Sequence, residues 1–147
     1  MEPAAAKCAA GTLRRASRSI TRAYDARLAP AGLTTMQFSI LRALERCDRP
    51  TPLSALATEL VFERTSLYRA LEPLGRDNLV VVSAGVGRAK QVVLTRAGRR
   101  RIAQALPLWT AAQDAFLAQF GRSTWSALAA QLVTIVDVAR AIPPEET

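Results

Sequence analysis

Histidine does not occur anywhere in the chain. Without an imidazole, the side chain most often used as a general base near neutral pH is missing, and the common zinc constellations that use histidine cannot be assembled. Cysteine is nearly as scarce. Cys8 and Cys47 stand apart, neither in a C-x-x-C pair, and read as reduced thiols rather than metal ligands or a disulfide framework. No apolar run in the sequence approaches the roughly 18 residues needed to span a bilayer. The opening stretch MEPAAAKCAAGTLRR has no charged segment followed by an apolar core, so no secretory signal is expected and the cytoplasm is the default compartment. A Ser/His/Asp set, a phosphate-binding Gly-Lys loop and a dinucleotide fingerprint are also missing. No enzyme activity, metal or cofactor is therefore expected. Repeats, low-complexity tracts and long linkers are absent too, and residues 1–147 read as one domain.

Acidic residues are outnumbered. Twelve Asp and Glu face twenty Lys and Arg, a formal charge of +8, and the isoelectric point is about 10.9. The excess is concentrated: Val61 to Arg101 holds nine bases and three acids, whereas Ile102 to Thr147 holds two bases and four acids. A basic middle beside a weakly acidic end suggests one surface facing a polyanion, although a solvated basic face would look the same in composition. Half of the residues are hydrophobic, so a chain of this length can bury a packed core.

Apolar spacing divides the chain into helices and one hairpin. Leu13, Ala16, Ile20, Ala23, Tyr24 and Leu28 form one helical stripe, with Arg14, Arg15, Arg18 and Arg22 off it; residues 1–11 read as a lead-in, and Pro30 and Gly32 close the helix. Thr34 and Gln37 make a T-x-x-Q capping box, followed by a face of Phe38, Ile40, Leu41 and Leu44. Thr51 is expected to cap a third helix with Pro52 in its first position, and Leu53, Leu56, Ala57 and Leu60 point inward. After the short turn Val61–Glu63 comes a fourth helix with Leu67, Ala70, Leu71 and Leu74 facing the core and Pro73 in its last turn. Leu79–Val82 and Val92–Leu94 pair across Gly85-Val86-Gly87 as a β-hairpin. Thr95 caps a fifth helix, which Pro107 is expected to bend, and Gly121 separates it from a sixth carrying Trp125, Leu128, Leu132, Ile135, Val136 and Ala139 at helical spacing. Helix, tight turn, helix, strand, glycine turn, strand is the order of a winged helix-turn-helix. The fold class is mainly α with a small β-hairpin wing.

The polar residues of that module suit DNA. A helix fits the major groove and its first turns reach base edges. Arg64 or Arg69 can grip guanine in bidentate fashion, and Thr65 and Ser66 are short enough to let the helix approach. Tyr68 offers a hydroxyl to phosphate or an apolar contact to a thymine methyl. Arg88 and Lys90, expected at the hairpin tip, suit the adjacent minor groove, whose negative potential attracts basic side chains.

The chain resembles the multiple antibiotic resistance regulator (MarR) family of bacterial transcription factors from about Cys8 to Val138. The resemblance is carried by GLTTMQFSIL at Gly32–Leu41, LSALATEL at Leu53–Leu60, ERTSLYRALEPLGRDNLV at Glu63–Val80 and GRAKQVVLTRAGRR at Gly87–Arg100. It implies a homodimer on a pseudo-palindromic operator, with residues 12–30 and 96–141 as interlocking dimerisation helices and 34–95 as the DNA-binding core. It also implies the recognition-helix role for Arg64, Thr65, Ser66, Tyr68 and Arg69, and the wing-arginine role for Arg88. The sequence departs from the family at Val86, where an acid usually braces that arginine, and at Asn78, where glycine is usual; asparagine tolerates the left-handed backbone, so the turn should survive.

The first and sixth helices each carry an apolar stripe that needs a partner, which agrees with a dimer holding two recognition helices about 34 Å apart, one DNA turn. The resemblance further implies an effector pocket between the dimer helices and the DNA module, often for an aromatic acid. Arg15, Arg18 and Arg22 can supply charge there, and Met36, Phe38 and Trp109 apolar walls, although such residues at helical spacing also suit a core. Cys8 near the first helix allows a redox switch instead. Sequence-independent DNA binding and a protein-contact module are the rival readings. Repression is the family default and rests on analogy.

Overall fold

The computed structural model describes residues 8–143. Six helices and three strands follow in the order α1 (Ala9–Leu28), α2 (Thr35–Cys47), β1 (Thr51–Pro52), α3 (Leu53–Leu60), α4 (Arg64–Arg76), β2 (Val80–Ala84), β3 (Lys90–Leu94), α5 (Arg96–Phe120) and α6 (Arg122–Ala141). The chain divides within α5 into two compact units, one running to Thr110 and the other from Ala111.

In the first unit, α1 begins earlier than its apolar stripe suggests. Residues 9–11, expected in the lead-in, are helical, and Cys8 is the cap: its Sγ accepts the Gly11 N–H at 3.4 Å. Residues 1–7 of the expected lead-in lie outside the described residues. The helix ends at Leu28, and a single tight turn at Ala29–Ala31, with Pro30 inside it, leads to Gly32. The capping box at the start of α2 forms as expected: Thr34 Oγ1 accepts from Gln37 N at 3.2 Å and Gln37 Oε1 accepts from Thr34 N at 2.9 Å. A second anchor was not legible beforehand. The Asp25 carboxylate accepts both the backbone N–H and the hydroxyl of Thr35, each at 2.6 Å, which ties α1 to the positive end of α2.

Thr51 and Pro52 depart from expectation. They do not cap and open α3; they form β1, pairing with Val92 and Gln91 of β3. Thr51 is buried and its hydroxyl donates to the Arg49 carbonyl at 3.0 Å, while Pro52, on the edge strand, serves as the residue before α3. Proline sits at a sheet edge without costing a ladder hydrogen bond. The hairpin is thereby extended to a three-stranded antiparallel sheet in the order β1-β3-β2.

Strands β2 and β3 pair Val80 with Leu94, Val82 with Val92 and Ala84 with Lys90. Strand alternation puts Val80, Val92 and Leu94 on one face, where all three are buried with Leu41, Leu56, Leu67 and Leu74 from α2, α3 and α4. The remaining joint is the entry to α5. Asn78 adopts the left-handed conformation that asparagine tolerates (φ 57°). The Thr95 hydroxyl donates to the Asn78 carbonyl at 2.7 Å, and its oxygen accepts the Gly98 N–H at 2.9 Å, which confirms Thr95 as the cap of α5.

In the second unit, Gly121 turns the chain at φ 96° from α5 into α6. The rings of Phe116 and Phe120 stack at 5.3 Å, and Trp125 meets Phe116 edge-on at 5.4 Å. Arg122 pairs with Asp114 at 3.0 Å. No residue of α6 is fully buried, and Val133, Ile135 and Val138 are exposed.

Candidate nucleic-acid interface

Helical spacing splits α4 into two faces. Leu67, Ala70, Leu71 and Leu74 are buried, whereas Arg64, Thr65, Ser66, Tyr68 and Arg69 are all exposed. The turn that delivers α4 is tight: Val61 closes α3 in the left-handed region, at φ 56°, with its N–H directed to the carbonyls of Ala57 and Thr58. The short α3 and this turn bring the exposed residues together within the first two turns of α4.

The other basic residues belong to the sheet. Arg88 lies in the turn beyond β2, two residues after Val86, which is 97 % exposed. Lys90 is placed differently from expectation. It is not at the hairpin tip but is the first residue of β3, paired with Ala84, and its Nζ lies over the Tyr68 ring, 5.4 Å from the centroid. The reason is the strand period: Lys90 shares a face with Val92 and Leu94, which is the face turned to the helices. Tyr68, Arg69, Glu72, Val82 and Lys90 line an open groove of about 580 Å³ between α4 and the sheet. Glu72 and Val82 were not singled out from the sequence; Glu72 is one helical turn beyond Tyr68, and Val82 becomes a lining residue only through its register with Val92.

Among the described residues the ion pairs are Arg42–Glu45, Arg46–Glu59, Arg99–Asp48 and Arg122–Asp114. Arg64, Arg69, Arg88 and Lys90 take part in none of them. The exposed end of α4 and the sheet therefore carry cations that form no ion pair, although Glu63 and Glu72 lie nearby, and the arrangement suits a polyanion.

Neither a family model nor a curated protein sequence matches the chain. Solved structures do. The transcriptional regulator MosR of M. tuberculosis, in complex with DNA, is 38% identical with a TM-score of 0.82, over 92% of this chain and 98% of that one. The chain belongs to the MarR family of transcriptional regulators. The repressor CouR, bound to p-coumaroyl-CoA, is 26% identical with a TM-score of 0.79 over 97% of this chain and 99% of that one. A MarR-family regulator from Rhodococcus sp. RHA1 shares the fold at 20% identity, with a TM-score of 0.76 over 88% of this chain and 95% of that one.

The other candidate residues of this MarR-family chain are spread more widely. Arg15, Arg18 and Arg22 are exposed along α1 and, by helical spacing, share one side of it. Phe38 is buried in the core, with its ring centroid 6.2 Å from that of Trp109, which packs against the same core. Met36 is exposed. Cys8 is an exposed free thiol and Cys47 a half-buried one. Among the described residues no group of three metal-ligating side chains forms, and no helix is long and apolar enough to cross a membrane.

Proposed function

We propose that the chain is a homodimeric DNA-binding repressor that reads a pseudo-palindromic operator with α4, touches the flanking minor groove with Arg88, and is released by a small-molecule effector. The observation that carries this reading is the row Arg64, Thr65, Ser66, Tyr68 and Arg69, exposed on the first turns of one helix, with no ion pair at either arginine. MosR has been solved with DNA, and CouR with a 23-mer DNA duplex. A second copy would cover apolar residues that α6 leaves exposed, Ile135 and Val138 on one side of the helix and Val133 on the other. CouR binds p-coumaroyl-CoA, an aromatic acid in activated form. Arg15, Arg18 and Arg22 supply cations suited to the carboxylate of a free aromatic acid or to the phosphates of a coenzyme A thioester, and Met36 and Trp109 are apolar surface for the ring, whereas Phe38 contributes only through the core wall. On this reading the effector binds toward α1 and the protein works in the cytoplasm.

The test is fluorescence anisotropy with the duplex upstream of the protein's own gene against a random duplex, across a salt series. A specific regulator prefers its operator by at least about 10³-fold, and affinity falls steeply with salt because bound cations release counterions. Arg64→Ala and Arg69→Ala are each expected to lose about 1–3 kcal/mol of that preference. Equal binding to both duplexes would indicate architectural, sequence-independent binding, and no binding at low salt would favour a protein-contact role.

A second switch is favoured by the exposure of Cys8 and its place as the cap of α1. Oxidation of that sulfur would disturb the contact to Gly11 at the start of the helix. Peroxide is then expected to release DNA from the wild-type protein and not from Cys8→Ser; equal release from both would end this reading.

A further inference from the structure

We infer that Lys90 acts on DNA through Tyr68, as the positioning residue of that ring, and not through a phosphate of its own; the inference rests on the DNA-binding reading above. Three observations carry it. Lys90 pairs with Ala84 at the end of the β2–β3 ladder, so its backbone is set by the sheet and not by the turn beyond it. Strand alternation directs its side chain to the helix side, with Val92 and Leu94. There the ammonium stands 5.4 Å above the Tyr68 centroid, in a groove that also holds Arg69 and Glu72.

The consequence is geometric. Tyr68 is 40 % exposed, on the outward face of α4. A ring in that position with nothing against it would have to be ordered when DNA arrives, at a cost in side-chain entropy. The ammonium covers one face and holds the ring plane through the attraction of a cation for the aromatic quadrupole. A base edge or a thymine methyl is left with the other face, the ring edge and the hydroxyl. Lys90 thus couples the sheet to the recognition helix, and its effect is on sequence preference. A lysine that contacted phosphate would act on every sequence alike.

The experiment uses the full chain and two duplexes: one enriched by the wild-type protein from a randomised pool, and a random duplex of equal length. Lys90→Met keeps the length of the side chain and removes its charge. It is expected to lower the preference for the enriched duplex roughly two- to fivefold, the size of an exposed cation–π contact, with the salt slope unchanged. Lys90→Arg should restore the preference, since a guanidinium stacks on an aromatic face equally well. Tyr68→Leu should lose the preference, and adding Lys90→Met to it should lose nothing more. Without DNA, the Lys90 ε-methylene proton resonances should move downfield in Tyr68→Leu as the ring current is removed. Equal losses on both duplexes with the salt slope reduced by about one would make Lys90 a phosphate contact. Additive losses in the double variant, or unmoved Lys90 resonances, would likewise overturn the inference. Failure to enrich any duplex would instead remove the DNA reading beneath it.

Discussion

At position 98 the first turn of α5 runs so close to the segment before β2 that a Cβ would strike Leu79 O and Leu94 Cδ1. The Leu79 carbonyl cannot withdraw easily, because it also accepts the Thr95 N–H at 3.1 Å. Gly98→Ala is therefore expected to cost about 1–3 kcal/mol, seen as a lower urea midpoint with an unchanged slope; a midpoint equal to the wild type would show that the joint can yield. A different kind of residue effect comes from Tyr24, whose phenol is pushed above its ordinary pKa of 10.0 by burial. In the unfolded chain the phenol releases its proton first as the pH rises past that value. Its contribution is thus complete below about pH 10 and is lost as the pH climbs toward the raised folded value. The urea midpoint should fall across that alkaline window, and Tyr24→Phe should flatten the fall; parallel curves would assign the loss to other groups.

Among the elements, the α3–α4 turn is the one that works against local preference. Val61 is β-branched and stands at φ 56°, where glycine is the easy choice. Val61 is exposed, so its side chain returns little packing for that strain. Val61→Gly is expected to stabilise the protein by about 1 kcal/mol, raising the melting temperature without altering the residues exposed on α4; a lower melting temperature would mean that the valine packs in some state of the protein that matters. The existence of this turn was legible in the sequence as a three-residue gap between two apolar stripes, but its backbone was not, because no glycine marks it. The capping box of α2, the cap of α5 and the apolar stripe of α4 were legible for the opposite reason. Thr34 and Gln37 satisfy each other, and the Gly98 N–H donates to the Thr95 hydroxyl oxygen, within one turn of chain. β1 was not: Thr51 and Pro52 carry a good helix-start pattern, and what makes them a strand is Val92 and Gln91 arriving from beyond two helices.

At the scale of the whole molecule, the exposed side chains of α6 bear on assembly. A helix of twenty residues that fully buries none of them, with Val133, Ile135 and Val138 exposed, calls for a second surface. Sedimentation at micromolar concentration should give a dimer, and Val133→Asp with Ile135→Asp should give a monomer whose first unit keeps its melting transition; a wild-type monomer would remove the dimer from the proposed function. The sequence by itself determined the helical stripes, the caps of α2 and α5, the helix-turn-helix order and the basic row on α4, because each follows from neighbours a turn or less apart along the chain. Only the tertiary structure decided that Asp25 anchors α2, that β1 completes the sheet, that Gly98 admits no side chain and that Lys90 covers Tyr68. Each of those depends on two segments meeting in space, and the periodicity of one segment carries no information about the partner that packing will bring to it.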